Sequence, residues 1–115
     1  MSNKIDILEY DGPGYSTVMK FGAWRVALIN YSEHFTPNVP LKLERHMETD
    51  EVFVLLDGNA TLIIGEEKQR YVMEKNKVYN VRAGTWHHIY TDEQAKVLIV
   101  ENVDTGFANT EYIKG

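Results

Sequence analysis

The chain has 115 residues, of which 43% are hydrophobic and 25% charged, a composition typical of one globular domain with a single core. Its net charge of −5 disfavours polyanionic partners, so we expect no binding to nucleic acid or to anionic membrane surfaces. The absence of cysteine excludes disulfides, thiolate metal sites and cysteine nucleophiles. The first residues lack an apolar signal segment, and the longest apolar run covers only 52–56, which predicts a soluble, cytoplasmic protein.

Short segments rich in β-branched and aromatic residues alternate with turn residues along the chain. We interpret 1–20 as an N-terminal arm or edge strand and 103–115 as a tail that forms a loop or an edge-covering arm. The dipeptide Asp57-Gly58 suits a tight hairpin because both residues tolerate positive φ. Strands are predicted at 23–31, 41–46, 51–56, 60–64, 69–73, 77–81, 87–91 and 95–101. This pattern predicts an all-β fold, a closed barrel or double sheet, in a single domain spanning 1–115.

The first segment with candidate functional residues lies on the strand predicted at 41–46. Residues two apart on a strand share a face, so Glu44 and His46 point the same way, with Lys42 beside them. Glu51 follows across a turn and opens the next strand. If the two strands pair, the Glu51 carboxylate faces back toward His46.

The second segment turns at Gly84 and begins a strand with His87 and His88. Neighbouring residues on a strand face opposite sides, so at most one of these two histidines joins the first segment. Two carboxylates together with one or two imidazoles suit a divalent first-row transition metal better than magnesium or calcium. The pattern therefore indicates a metal site, whereas a single Glu or His on a strand would indicate only a solvated surface.

Both segments match, in order and spacing, the two sequence motifs of the cupin family. The first motif, at about 38–58, takes the form Asn38-(x)5-Glu44-x-His46-(x)4-Glu51-(x)6-Gly58. The second, at about 76–91, takes the form Asn76-(x)5-Arg82-x-Gly84-(x)2-His87-(x)3-Thr91. The chain thus resembles a small single-domain cupin of the bacterial type. The resemblance implies a double-stranded antiparallel β-helix, or jelly-roll β-barrel, with a metal in its mouth.

Several positions depart from the family pattern. Asn38 and Asn76 stand where the motifs open with glycine, and we expect both turns to survive because asparagine shares the positive-φ conformation most readily. Glu44 stands where the family places its first histidine. By resemblance the metal ligands are therefore two carboxylates and two imidazoles: Glu44, His46, Glu51 and His87. With a 2+ ion this site is neutral. It should be a weaker Lewis acid than a cupin site that has histidine in place of Glu44. The ligand set suits Mn, Fe, Zn or Ni.

The resemblance favours a metal-dependent enzyme of the dioxygenase, isomerase or lyase type that acts on a small polar molecule. In that interpretation Glu51 or Glu44 serves as a catalytic base. A metal-free sugar-nucleotide isomerase or epimerase and a non-catalytic cupin that binds a small ligand or metal remain alternatives. Lys42 is expected at the rim of the pocket, in contact with an acidic group. The apolar alternation at Ile5 and Ile7 suits an N-terminal strand that pairs across a two-fold axis, so we expect a homodimer.

Overall fold

Two antiparallel five-stranded sheets, called here sheet 1 and sheet 2, face each other across the core. The computed structural model describes residues 4–103 and 110–114. Sheet 1 has the strand order β1-β2-β9-β4-β7 and sheet 2 the order β10-β3-β8-β5-β6. The strands are β1 (Gly14–Phe21), β2 (Trp24–Asn30), β3 (Lys42–His46), β4 (Glu51–Asp57), β5 (Ala60–Ile64), β6 (Gln69–Val72), β7 (Tyr79–Val81), β8 (His87–Thr91), β9 (Lys96–Asn102) and β10 (Thr110–Lys114). The all-β double-sheet fold predicted from the sequence is confirmed.

The core is made by the alternate residues of each strand that point between the sheets. Burial alternates strictly along β8 and β9, as expected when one face of a strand packs inward. Ala27 and Ile99 are paired across β2 and β9, and Phe53 lies opposite Ile99 on β4, so the three form one inward-facing row. Leu62 on β5 and Ile89 on β8 form the facing row of sheet 2. These side chains are almost fully buried and belong to one hydrophobic cluster.

Within the described residues, helical structure is limited to one 3-10 turn at Glu33–Phe35. None of the helical structure described is long and apolar enough to span a membrane.

The turn at Asp57-Gly58 connects the two sheets and does not close a hairpin, so that prediction was wrong. The strand before it, β4, pairs with β7 and β9 in sheet 1, whereas β5 pairs with β6 and β8 in sheet 2. Gly58 alone of the two residues has positive φ, at 67°. A Cβ at Gly58 would lie 2.5 Å from the backbone nitrogen of Ala95, so glycine is required by close approach as well as by φ.

The ends of the chain add two strands that the sequence analysis did not separate out. Residues 4–13 have no regular secondary structure, and β1 follows as an edge strand of sheet 1. In the tail, β10 pairs with β3 along the edge of sheet 2, while 104–109 lie outside the described residues. The strand predicted at 77–81 is shorter, Tyr79–Val81. Both expected turns are present, but only Asn76 has positive φ, at 69°, whereas Asn38 lies in its turn without it.

Candidate metal site and cavity

The four predicted site residues come from three strands in two sheets. Glu44 and His46 lie on β3, and His87 opens the neighbouring strand β8, where it pairs with Glu44. Glu51 opens β4, which belongs to the opposite sheet. The strands that carry His46 and Glu51 do not pair with each other. Glu51 faces His46 because the two sheets pack face to face.

The four side chains converge on one point. Glu51 Oε1 lies 3.0 Å from His46 Nε2 and 3.1 Å from His87 Nε2. Glu44 Oε1 lies 3.8 Å from each of the same two nitrogens. One donor atom from each of the four residues lies within 4.8 Å of all the others. Of the two neighbouring histidines, His87 joins the cluster.

The two turns that carry these residues are tied together by hydrogen bonds. The backbone N–H of Gly84 donates to the His46 carbonyl at 2.7 Å. Asp50 accepts hydrogen bonds from the Ala83 backbone N–H at 2.8 Å and from the Asn80 side chain at 3.1 Å. The hydrogen bonds from Asn80 and Ala83 lower the pKa of Asp50. The sequence analysis did not identify Asp50, although an aspartate beside a turn is a common acceptor for backbone N–H groups.

His87 has an acceptor in front of each ring nitrogen. Nδ1 lies 3.0 Å from the carbonyl oxygen of Thr85, which can only accept, so Nδ1 carries a proton. Nε2 faces the carboxylate of Glu51. A neutral imidazole has only one N–H, so the space between Nε2 and Glu51 calls for a cation, either a second proton or a metal ion. Burial lowers the pKa of His87, but the hydrogen bond and charge of Glu51, the hydrogen bond to Thr85 and the charge of Glu44 together outweigh it, so the pKa is raised above its ordinary value.

Glu51 is the most enclosed carboxylate of the cluster, with a side chain only 5% exposed, against 36% for Glu44. Burial alone would favour its protonated form. The hydrogen bonds with His46 and His87 outweigh burial and hold the pKa of Glu51 well below its usual range. Glu51 is therefore the fixed anion of the site, and Glu44 is the more exposed carboxylate.

Glu51 is supported by a buried hydrogen-bonded group, centred on Glu101, that the sequence did not predict. The carboxyl of Glu101 shares a hydrogen bond with Glu51, and its Oε1 also accepts from the Tyr15 hydroxyl and from Arg25 Nε at 3.0 Å. Burial and the neighbouring Glu51 raise the pKa of Glu101 to about 7, so one proton is held between the two carboxyl groups. No sequence spacing marks this group, because Tyr15 and Glu101 are 86 positions apart.

A cavity of about 580 Å³ opens between the sheets beside the four clustered side chains. Its apolar wall is formed by Ile29, Phe53, Ile89 and Ile99. Lys42 also lines the cavity, as expected from its place on the face of Glu44 and His46. A cavity of this size admits a small molecule next to the cluster.

His88 and three other aromatic side chains lie outside the cluster. His88 is half-buried and packs against His34, with ring centroids 5.9 Å apart. His34 is exposed, and it lies at the cavity. Trp86 does not line the cavity and stacks under Arg45, while Trp24 lies on the outer surface against Phe21.

A family model described as a cupin domain matches residues 32–101, more than half of the chain. The chain belongs to the cupin family. Comparison with curated protein sequences gives no match.

Solved structures similar to this cupin share its fold at low sequence identity. A cupin-2 domain protein from Shewanella frigidimarina is 18% identical, with a TM-score of 0.61 over 81% of this chain and 84% of that chain. A uridine-bound Pac13 from Streptomyces is 8% identical, with a TM-score of 0.67 over 93% of this chain and 84% of that chain. The Fe(II) form of HppE is 13% identical, with a TM-score of 0.59 over 76% of this chain and 50% of that chain. At these identities the likeness establishes the jelly-roll fold.

Proposed function

We propose that this cupin binds one divalent transition metal through Glu44, His46, Glu51 and His87 and is a metal-dependent enzyme for a small polar molecule. The observation that carries the proposal is the geometry of His87, whose two nitrogens both face acceptors. A cation bound at Nε2 satisfies the imidazole and the Glu51 carboxylate together. The hydrogen bond from Nδ1 to the Thr85 carbonyl holds the ring in the tautomer that a metal requires.

The donor atoms also fit one ion in size and chemistry. Donor atoms bound at about 2.1 Å to a single ion stand roughly 3.0–3.4 Å apart. The contacts of Glu51 with the two histidines already have this spacing, at 3.0 and 3.1 Å. Glu44, at 3.8 Å from both histidines, needs only a small shift of a partly exposed side chain. Two imidazoles and two carboxylates suit manganese, iron, zinc or nickel.

A bound ion of this kind supplies Lewis-acid chemistry, polarising an oxygen of the substrate. The residues of this chain bind the ion and accept the proton. Glu51 is held by two histidines and by Glu101, so it stays in place as an anionic ligand. Glu44 is more exposed and faces the cavity, so it is the better placed of the two carboxylates to leave its ligand position and accept a proton. The apolar wall of the cavity excludes water from the far side of the substrate.

Elemental analysis of untagged protein, purified without chelators, tests the proposal. We expect a near-stoichiometric transition metal in the wild type and its loss in His46→Ala. His34→Ala is the matched control, because His34 lines the same cavity but lies outside the cluster of four. No metal in the wild type after incubation with each ion, or equal metal in His46→Ala, would overturn the metal site. A dioxygen- or substrate-dependent change in the spectrum of the loaded protein separates an enzyme from a non-catalytic binder.

The same cluster supports a second candidate, a metal-free acid–base enzyme. Without a metal, the acceptors that face both ring nitrogens of His87 favour an imidazolium paired with Glu51, and this imidazolium is a proton donor beside the cavity. A structurally similar protein, Pac13, is described as a nucleoside dehydratase. A nucleoside or sugar-nucleotide ligand that binds equally well with and without a chelator favours this candidate over the metal enzyme.

We also propose that the protein assembles as a homodimer through its N-terminal arm. Its expected cytoplasmic location stays a prediction. Ile5 and Ile7 are 66% and 90% exposed, which is a poor arrangement for a single copy in water. Elution as a single copy of about 13 kDa in gel filtration at micromolar concentration would contradict the dimer.

A further inference from the structure

The carboxylates that line the cavity already have cationic or proton-donating partners. Among the described residues they are Glu44, Glu51 and Glu101. Glu51 contacts both histidines, and Glu101 binds Arg25 and Tyr15. If the proposed 2+ ion is present, the two negative charges of Glu44 and Glu51 are cancelled by it.

Lys42 is the cavity cation without such a partner. Among the ion pairs of the described residues, none joins a carboxylate oxygen to Lys42 Nζ. The ammonium instead lies over the ring of Tyr112, 4.3 Å from the centroid. A neutral ring holds an ammonium in place without cancelling its charge. With the 2+ ion bound, the cavity therefore keeps one positive charge that has no carboxylate partner.

Strand register places this charge close to the proposed metal. Lys42 and Glu44 are two residues apart on β3 and face the same side, so their Cα atoms are about 6.6 Å apart. Tyr112 pairs with Glu44 across β10 and β3, so its side chain also faces the cavity. A tyrosine hydroxyl is an ordinary hydrogen-bond donor at neutral pH, so Tyr112 can donate to an anion in the cavity.

From this arrangement we propose that Lys42 and Tyr112 form an anion subsite, and that the ligand of this cupin is a small organic acid with a single carboxylate. The proposal rests on the metal site described above and names the class of molecule that the site takes. The carboxylate binds Lys42 and Tyr112, and a hydroxyl or carbonyl oxygen a few bonds away lies at the cluster of Glu44, His46 and His87. A dianion such as a phosphate fits less well, because one of its charges would remain uncompensated beside the carboxylates.

The test uses 3-hydroxybutanoate as the probe and 1,3-butanediol as its uncharged counterpart. Zinc-loaded protein is titrated with each by calorimetry and by saturation-transfer NMR. We expect the acid to bind and the diol to bind at least ten-fold more weakly, as for the loss of a hydrogen bond to a charged group. Lys42→Met should weaken binding of the acid by at least ten-fold, whereas Lys42→Arg should retain most of it. Lys75→Met is the matched control, because Lys75 is exposed and does not line the cavity.

Zinc content is measured before each titration, so failure of the metal site appears as absent zinc and is kept apart from failure of the subsite. In protein that holds no zinc, the same dependence of acid binding on Lys42 still tests the subsite. Equal affinity for the acid in wild type and Lys42→Met, or no detectable binding of the acid, overturns the proposal. Tighter binding of inorganic phosphate than of the acid overturns the assignment to a monocarboxylate.

Discussion

The proton between Glu101 and Glu51 makes the stability of the metal-free protein depend on pH in a defined direction. Glu101 is almost fully enclosed, with a side chain 3% exposed, and its pKa is raised from 4.5 to about 7. Below pH 4.5 both the folded and the unfolded chain hold this proton. Between 4.5 and 7 the unfolded chain releases it while the folded chain keeps it, so the free energy of unfolding falls as the pH rises. Above 7 the loss is complete and amounts to about 3 kcal/mol.

Glu101→Gln isolates this effect because glutamine copies the protonated carboxyl. Its amide N–H can donate to Glu51, and its oxygen can accept from Tyr15 and Arg25. We expect the variant to match the wild type in stability at pH 4.5 and to exceed it by about 3 kcal/mol at pH 8. Urea denaturation of protein held in a chelator at both pH values measures the difference.

The control for this prediction is Glu111→Gln. Glu111 is half-exposed and pairs with Arg45 at the surface, so its loss should change the free energy of unfolding by less than about 1 kcal/mol at either pH. A difference between Glu101→Gln and wild type that is the same at pH 4.5 and pH 8 would refute the reasoning. A wild type more stable than the variant at pH 8 would refute it as well.

Three further substitutions test the fold and the charge of the site. Gly58→Ala should lower the free energy of unfolding by more than about 2 kcal/mol in urea denaturation, because it adds a Cβ at positive φ that would lie 2.5 Å from the Ala95 nitrogen. An unchanged midpoint would contradict the claim that position 58 requires glycine. Leu62→Ala, at a site 2% exposed, should cost about 2–5 kcal/mol in the same assay, and a cost under 1 kcal/mol would mean that the core does not pack there. Glu44→His should keep zinc in elemental analysis and change the loaded site from neutral to +1, so acetate should bind more tightly by calorimetry; weaker acetate binding would contradict the charge argument.

Local sequence patterns predicted most of the strands, because alternation and turn residues act over a few positions. All eight predicted strands are present: β5 and β8 have the predicted bounds, and the other six have shifted ends. The strand at Gly14–Phe21 was predicted only as part of an arm or edge strand over 1–20, because its burial is weak and irregular along an exposed edge. The strand at Thr110–Lys114 has little periodicity of its own and is defined by its pairing with β3. The turn at Gly58 has the residues typical of a hairpin. Only the placement of β4 and β5 in different sheets shows that the turn does not close a hairpin.

The candidate site was predicted from the sequence to the extent that spacing along single strands determines it. The interval of two residues places Glu44 and His46 on one face, and the motif spacing selects Glu51 and His87. The contact of Glu51 with both histidines was decided by the packing of one sheet on the other, which no local pattern encodes.

Tertiary structure alone decided the surroundings of that site. Glu101 reaches Glu51 because β9 and β4 are neighbours in sheet 1, and Tyr15 and Arg25 reach Glu101 from β1 and β2. A charge partner at such a separation leaves no periodic signal in the chain, since burial and desolvation depend on every strand that surrounds it. The sequence by itself therefore determined the fold class and the four clustered residues, and the packing of the two sheets determined the protonation, the exposure and the cavity that those residues face.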